Sequence, residues 1–314
     1  MKKTWIVVAF AAAVAGAGCG ESTKNKMIDI VPIATARDVY FTASGMAGVT
    51  ATPTDPTCPV ATTMGTTIMV EGGCTDSDGD AWSGSAVFDG DINGDWTVTW
   101  NAFTVVDAPS ECNGDPADDR GSTVVDGSAS LSGTAGTVAS FTLNVTETDV
   151  QPNLLGCGEH TIEKTYDYSG TVETGADTDG DGTPDELTFD GAGTISRAEK
   201  ADDLTITATT VAQFMDRTIC DREPLSGTTT MVSGNHSGVV TNDGATDCDD
   251  PPTGAFTYDG EAQDEVAIGS VCTVVRVGGR GAPAGLALVA AVLVAGIAFR
   301  RRAPGRRTAR PEGR

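Results

Sequence analysis

Apolar and polar residues alternate with a period of two along most of residues 37–277. In segment 95–103, tryptophan and valine alternate with threonine and asparagine, and segment 141–146 repeats the pattern. Such alternation places one face of each strand on a core and the other in water, as in antiparallel sheets. Turns rich in Gly, Asp and Ser separate the strands. The chain is therefore predicted to be all-β, as an antiparallel β-meander or a β-sandwich.

Two segments depart from this alternation. Residues 34–47 are ambiguous between strand and helix, and they form the one candidate helix of the predicted ectodomain. Gln-Pro-Asn at 151–153 marks a sub-boundary near 151–156. Elsewhere, recurring Ser-Gly phrases before strand-like segments indicate successive hairpins of one meander.

Residues 1–18 have the composition of an export signal, with a basic start, an apolar run and small residues at the end. Two cleavage schemes fit. In the first, residues 16–19 are a lipobox and Cys19 becomes the lipid-bearing first residue, followed by a tether over 19–36. In the second, residues 15–17 are an A-x-A site and Cys19 stays an ordinary cysteine. A cysteine directly after the small residues favours the lipoprotein.

Residues 282–299 form a second apolar segment, whose length reaches the lower limit of about 17–25 residues for a membrane-spanning helix. A Gly-rich spacer (278–281) precedes it and a basic tail (300–314) follows. The positive-inside rule keeps the basic tail cytoplasmic and the ectodomain outside. The order of spacer, apolar helix and arginine cluster resembles the GlyGly-CTERM and MYXO-CTERM sorting tails, which implies a cleavable tail. The alternative is a plain single-pass anchor.

The chain is strongly acidic, with 44 Asp and Glu against 20 Lys and Arg and a net charge of −24. Such a charge repels phosphate backbones and anionic lipid, so nucleic acid is an unfavourable partner. The acidity suits divalent cations, or it keeps an exported protein soluble.

Eight cysteines in an exported chain predict disulfides. Cys58 and Cys74 flank a turn-rich segment that can close as a hairpin, so we predict that they pair. If Cys19 carries lipid, seven cysteines remain and one lacks a partner within the chain. The sequence leaves the other pairings open.

Residues 177–186, DTDGDGTPDE, have the spacing of a calcium-binding loop. Hard cations need several oxygen ligands, and Asp at alternate positions directs carboxylates toward one centre, while Gly182 permits the sharp turn. The loop resembles thrombospondin type-3 repeats. That resemblance implies the ligands Asp177, Asp179, Asp181, Thr183 and Asp185. Thr188 stands where an acid is usual, which predicts a weak site with a Kd of ~10⁻⁴–10⁻³ M.

A solvated acidic hairpin turn is the alternative for this loop, because Asp-Gly pairs form turns without any metal. Residues 76–80 and 89–95 begin in a similar way. The first lacks the glycine and the second lacks the final acid, so we interpret both as acidic turns.

Catalytic motifs do not accompany the two histidines, His160 and His236, in the sequence. The exported β-architecture also fits a glycan-binding or glycan-degrading surface protein, with Trp82, Trp96 and Trp100 as stacking platforms. Trp96 and Trp100 share strand parity, however, which favours packing in the core.

The sequence predicts a non-enzymatic cell-envelope lipoprotein with a structural or adhesive β-domain and a calcium-binding loop. Its predicted location is the outer membrane or cell surface, with the inner membrane facing the periplasm as the alternative. Its predicted partners are the membrane, through the lipid, the C-terminal helix or both, and a glycan or an envelope protein. The whole chain resembles uncharacterised, myxobacterial-like lipoproteins of large-genome Gram-negative bacteria, a resemblance that implies no activity.

Overall fold

The computed structural model describes most of the chain between residues 22 and 268. The described residues are 22–53, 55, 57–107, 110–112, 115–119, 121–152, 159–178, 180–199, 202–220, 223–242, 244, 248 and 252–268. The predicted signal peptide, Cys19 and the C-terminal segments 278–314 lie outside them. Within this part of the chain, no helix combines the length and the apolar character that crossing a membrane requires.

Two helices precede a long series of strands. The helices are α1 (Thr23–Ala34) and α2 (Ala36–Ala51). The strands are β1 (Val60–Met64), β2 (Thr67–Glu71), β3 (Cys74–Thr75), β4 (Ala81–Gly90), β5 (Trp96–Val106), β6 (Ser110–Cys112), β7 (Asp115–Asp119), β8 (Ser122–Ser132), β9 (Val138–Pro152), β10 (Glu159–Thr174), β11 (Glu186–Glu199), β12 (Asp202–Asp216), β13 (Ser226–Ser233), β14 (His236–Thr241), β15 (Thr253–Tyr258), β16 (Glu261–Ala262) and β17 (Val266–Ala267).

The strands form one antiparallel meander. Its order is β1-β2-β4-β5-β8-β9-β10-β11-β12-β13-β14-β15-β16, with β3 beside β4 and β17 beside β15. β6 and β7 form a separate hairpin. The predicted all-β class is confirmed, and of the two predicted architectures the described strands adopt the meander. β9 and β10 pair from Val138–Glu173 to Pro152–Glu159, so the sheet continues across the sub-boundary considered near 151–156.

The period-two pattern sets which face of each strand is buried. In β5, Trp96, Val98 and Trp100 are buried, while the threonines between them are exposed. In β9, Phe141 and Leu143 are 1% and 0% exposed and belong to the same core. The alternation therefore predicted the inner face of these strands correctly.

The helices contact strands along nearly the whole meander. α2 contacts strands from β2 to β12, and α1 contacts β12, β13, β14 and β17. The thirteen described strands of this path would cover about 58 Å in a flat sheet at ~4.8 Å per strand. The helices have 12 and 16 residues and measure only ~18 and ~24 Å. The sheet must therefore curl around them, and they fill its inner face.

Two strands are bent by bulges, and each bulge is held by a hydrogen bond from a backbone amide to an aspartate of the neighbouring strand. Ala102 in β5 and Ala212 in β12 have positive φ angles of 43° and 49°. The amide of Ala102 donates to the carboxylate of Asp126 (2.9 Å), and that of Ala212 to the carboxylate of Asp190 (2.8 Å), each on a neighbouring strand. A β-bulge bends its strand and increases the local twist. These positions therefore help the sheet to curl.

The start of α2 is fixed by side chains of the sheet. Thr35 caps the helix, with its hydroxyl accepting from the amide of Asp38 (3.2 Å). The amide of Ala36 donates to Thr210 Oγ1 (3.0 Å). The amide of Arg37 donates to the side-chain oxygen of Gln213 (3.1 Å). Amides that a helix leaves unpaired in its first turn are therefore satisfied inside the protein.

The tether predicted over 19–36 differs from the structure from residue 23 onward. Met27, Ile30, Val31 and Ala34 of α1 are at most 1% exposed and belong to the core. Their spacing of i, i+3, i+4 and i+7 is that of a helical apolar face, which the polar start of the segment obscured. The ambiguous stretch at 34–47 becomes α2, which extends to Ala51.

Candidate functional site

The predicted calcium loop connects β10 to β11. Both carboxylate oxygens of Asp177 accept backbone hydrogen bonds, one from the amide of Gly180 (2.8 Å) and one from that of Gly182 (3.0 Å). The carboxylate of Asp181 accepts from the amide of Thr183 (2.7 Å). Gly182 has a φ of 90°, the left-handed conformation for which the sequence motif reserves a glycine. The loop is therefore folded back on its own carboxylates.

Asp185 joins this loop to the rest of the sheet. Its side chain is buried and accepts from the amide of Thr178 (2.6 Å). Its own amide donates to the carbonyl of Ala176 (2.8 Å), and its carbonyl accepts from the amide of Arg217 beyond β12 (3.0 Å). Asp185 thus closes the base of the loop and attaches it to the next turn.

The structure brings four of the five predicted ligands into one loop, namely Asp177, Asp181, Thr183 and Asp185. Asp179 lies outside the described residues. Among the residues that are described, no three His, Cys, Asp or Glu side chains are grouped closely enough to hold a metal ion. The donor chemistry suits a hard cation, whereas the grouping of the described carboxylates does not yet provide a site. Calcium binding stays a prediction.

The turn at 76–80 is organised by one carboxylate. Asp76 Oδ1 accepts from the amides of Asp78 and Asp80, both at 2.9 Å, and Asp76 Oδ2 accepts from the indole Nε1 of Trp82 (3.0 Å). These donors come from the protein itself. The turn thus has the features of the acidic turn that we interpreted from the sequence.

Asp55 connects this turn to the first disulfide. Its Oδ1 accepts from the amide and hydroxyl of Thr57 (2.7 and 2.6 Å), and its Oδ2 accepts from the amide and hydroxyl of Ser77 (3.0 and 2.8 Å). These hydrogen bonds hold the pKa of Asp55 well below its usual range. The disulfide Cys58–Cys74 is confirmed, and a second one, which the sequence left open, joins Cys220 to Cys248.

A charged cluster lies on the inner face of the sheet. Lys164 Nζ on β10 is 3.0 Å from Glu147 Oε1 and 3.1 Å from Asp149 Oδ2 on β9. Asp149 also accepts from the hydroxyl of Thr123 on β8 (2.8 Å). Burial raises the pKa of Glu147. Burial lowers the pKa of Lys164, but the two carboxylates outweigh this effect and raise it above its usual value.

This cluster continues across β11 to α1. Arg197, the cross-strand partner of Lys164, donates to Glu199 Oε2 (2.7 Å) and lies 3.6 Å from Asp29 Oδ2 of α1. His160 Nε2 lies 3.9 Å from Glu199 Oε1. These charges occupy strand positions whose parity is otherwise apolar. This interruption of the alternation is visible in the sequence.

His236, the first residue of β14, pairs with the carboxylate of Asp259, which directly follows β15. Its Nδ1 lies 2.8 Å from Asp259 Oδ2, and its ring stacks on Tyr258 with the centroids 5.4 Å apart. Asp259 Oδ1 accepts from the backbone amide of Ser237 (2.8 Å), so Ser237 contributes its amide to this group. The His236 side chain is 47% exposed. The arrangement orients a surface imidazole.

Two of the three tryptophans considered as stacking platforms lie in the core. Trp96 and Trp100 are 3% and 2% exposed, as their shared parity predicted. Trp82 is half-buried, and its ring packs on Phe103 with the centroids 5.5 Å apart. Trp96 and Trp100 are therefore unavailable for contact with a sugar ring.

No protein-family model, no curated protein and no solved structure matches this chain.

Proposed function

We propose that this chain is a non-enzymatic protein of a bacterial cell envelope, in which a lipid-anchored β-domain has a structural or adhesive role. One observation carries the proposal: the chain's own helices fill the inner face of its sheet. Clefts are the usual place for substrate and cofactor sites. In this fold the inner face is occupied by α1 and α2, so partners meet the outer face and the turns.

The packing of the helices supports this assignment. Tyr40 of α2 lies between Phe141 and Phe189, with ring centroids 5.5 Å from each. Trp100 Nε1 donates to Thr50 Oγ1 near the end of α2 (3.0 Å). Aromatic contacts and a buried hydrogen bond of this kind fix the helix in place. The helices are part of the core, and their removal would expose it.

The accessible surface supports a contact role. The hydroxyls of Ser130 on β8 and Thr142 on β9 are hydrogen-bonded to each other (2.8 Å). Thr97 of β5 and Thr209 of β12 lie in the same row of paired residues across the outer face of the sheet. Hydroxyl-rich β-surfaces stay wet while they offer many donors and acceptors. Such a face suits broad contact with an envelope polymer or a neighbouring protein.

Chemical environment and sequence support the location. Two disulfides suit an oxidising compartment outside the cytoplasm. The export signal and the cysteine that follows it support lipid anchoring. The spacing of oxygen-bearing residues in the β10–β11 loop, DTDGDGTPDE, supports weak calcium binding as a second property of the same domain.

The proposal is tested in the host. Deletion of the protein should reduce attachment of the cells to surfaces or raise their sensitivity to detergent, and wild type should restore both while Cys19→Ser should not. The purified protein should show no turnover on a panel of polysaccharides and esters. Turnover that survives repurification, or a deletion strain identical to its parent in both assays, would overturn the proposal.

A further inference from the structure

The meander has two ends, because alternate turns of an antiparallel sheet lie on opposite sides. One end carries the turns β11–β12, β13–β14 and β15–β16, and it is closed by the pair Glu199–Asp202. The other carries the turns β4–β5, β8–β9, β10–β11 and β12–β13, and it is closed by Glu186–Asp216. We call the first the helix-entry end, because α1 begins there, and the second the acid-loop end, because it contains the 177–185 loop.

α1 begins at the helix-entry end. Lys26 Nζ of its first turns donates to the carbonyl of Asp203 at the start of β12 (3.4 Å), and Asp29 lies beside Arg197 near the end of β11. The following helix begins farther along the same strand, where the amide of Ala36 meets Thr210. α1 therefore runs from the helix-entry end toward the acid-loop end.

The N-terminal anchor has little freedom to move away from this end. Ser22 caps α1, accepting from the amide of Asn25 (3.3 Å). Cys19 precedes Ser22 by three residues, and an extended chain spans at most ~3.6 Å per residue, so their Cα atoms are at most about 11 Å apart. β10, with 16 residues, is about 50 Å long. A lipid on Cys19 cannot lie at the acid-loop end.

The C-terminal segment leaves from the opposite end. In β17, Val266 and Ala267 pair with Gly254 and Thr253 at the start of β15, and the amide of Ile268 donates to the carbonyl of Pro252 (2.8 Å). Both contacts are at the acid-loop end. Ile268, the last described residue, therefore lies at the end of the sheet opposite to the start of α1.

We infer that the domain docks on the lipid surface through its helix-entry end and points its acid-loop end away from the membrane. The inference rests on the lipid anchoring of the proposed function. The turns β11–β12, β13–β14 and β15–β16 then face the lipid headgroups, and the 177–185 loop lies roughly one strand length, about 50 Å, farther out. From residue 23 onward, the packed helix α1 then takes the place of the tether predicted over 19–36.

Energy transfer to labelled lipids measures this orientation. The full chain, purified from host membranes, carries a small donor dye at one of two exposed turn positions, through Asn235→azidophenylalanine (helix-entry end) or Ala135→azidophenylalanine (acid-loop end). It is reconstituted into phosphatidylcholine vesicles with an acceptor dye on the headgroups. Equal melting temperatures of the two variants control for folding.

We expect at least twofold more efficient transfer from position 235 than from position 135. Equal transfer, or more from position 135, would overturn the inference. The variant Cys19→Ser separates this failure from failure of the proposed anchor. If Cys19→Ser leaves the membrane, the anchor is lipid and the transfer ratio alone judges the orientation. If it stays bound and the intact mass of the wild type shows no diacyl group on Cys19, the C-terminal segment is the anchor and the lipid-anchored function itself is wrong.

Discussion

The indole Nε1 of Trp100 donates a 3.0 Å hydrogen bond to the hydroxyl of Thr50, and both side chains are buried. This contact joins the last turns of α2 to the middle of β5. Its loss would leave a donor inside the core without an acceptor, a condition that costs about 1–3 kcal/mol. The helix and the sheet are therefore stabilised as one unit.

Thr50→Val should lower the free energy of unfolding by about 1–3 kcal/mol and the Tm by roughly 2–10 °C, because it removes the acceptor at nearly constant volume. Thermal unfolding followed by circular dichroism measures this. Thr52→Val is the matched control, because Thr52 is exposed and its hydroxyl bonds only the carbonyl of Gly48 within the helix end. Equal shifts in the two variants would show that the Trp100 contact is unimportant.

Lys164→Met should destabilise the protein by about 1–3 kcal/mol at neutral pH, because it leaves the carboxylates of Glu147 and Asp149 without their cation. We expect less than a fully buried pair would lose, since the Lys164 side chain is 23% exposed. Burial already raises the pKa of Glu147, and loss of the cation raises it further.

The pH dependence of Lys164→Met follows from this increase in the pKa of Glu147. Protonation relieves the uncompensated charge, so the difference in Tm between variant and wild type should shrink as the pH falls from about 7 to about 4. Lys164→Arg keeps the charge and serves as the control. If the difference in Tm between Lys164→Met and wild type did not change with pH, the variant would be destabilised by lost packing and not by uncompensated charge.

Calcium at about 10 mM should stabilise the protein by about 1.4–2.7 kcal/mol if the loop binds with a Kd of ~10⁻³–10⁻⁴ M. The effect should disappear in the double variant Asp177→Asn plus Asp181→Asn. Asp91→Asn, in the β4–β5 turn at the same end of the sheet, should keep it. Melting curves with and without calcium, at constant ionic strength, measure this. An unchanged wild-type curve would leave the loop as an acidic turn.

Asp55 should contribute to a loss of stability in acid. Hydrogen bonds from Thr57 and Ser77 lower its folded-state pKa below the ordinary value of 3.8. Its contribution is therefore present above that value and is lost as the pH falls through it toward the folded-state pKa. Asp55→Asn should show a flatter dependence of Tm on pH between about 5 and 2 than wild type or the exposed-acid control Asp264→Asn. Parallel curves for all three proteins would contradict this.

The sequence predicted the strands well because a single physical rule governs them. Burial of one face gives a period of two, and segments such as 95–103 show it without help from distant residues. The pair Cys58–Cys74 was predictable for a similar reason, since its 16-residue separation closes one local hairpin region.

The helices were harder to predict for two different reasons. The apolar face of α1 was present in the sequence at Met27, Ile30, Val31 and Ala34, but a polar start made the segment look like a tether. The start of α2 depends on Thr210 and Gln213, which lie more than 170 positions away in the chain. Local patterns carry no signal for such partners, because the contact exists only after the sheet has formed.

The intact mass of the mature protein, purified from membranes of its native host, tests the central claim most directly. Our account predicts a mass that begins at a diacylated Cys19 and lacks the arginine-rich tail of residues 300–314. A mass that begins at Gly18 and retains Arg314 would contradict it, because the domain would then be held by its C-terminal segment.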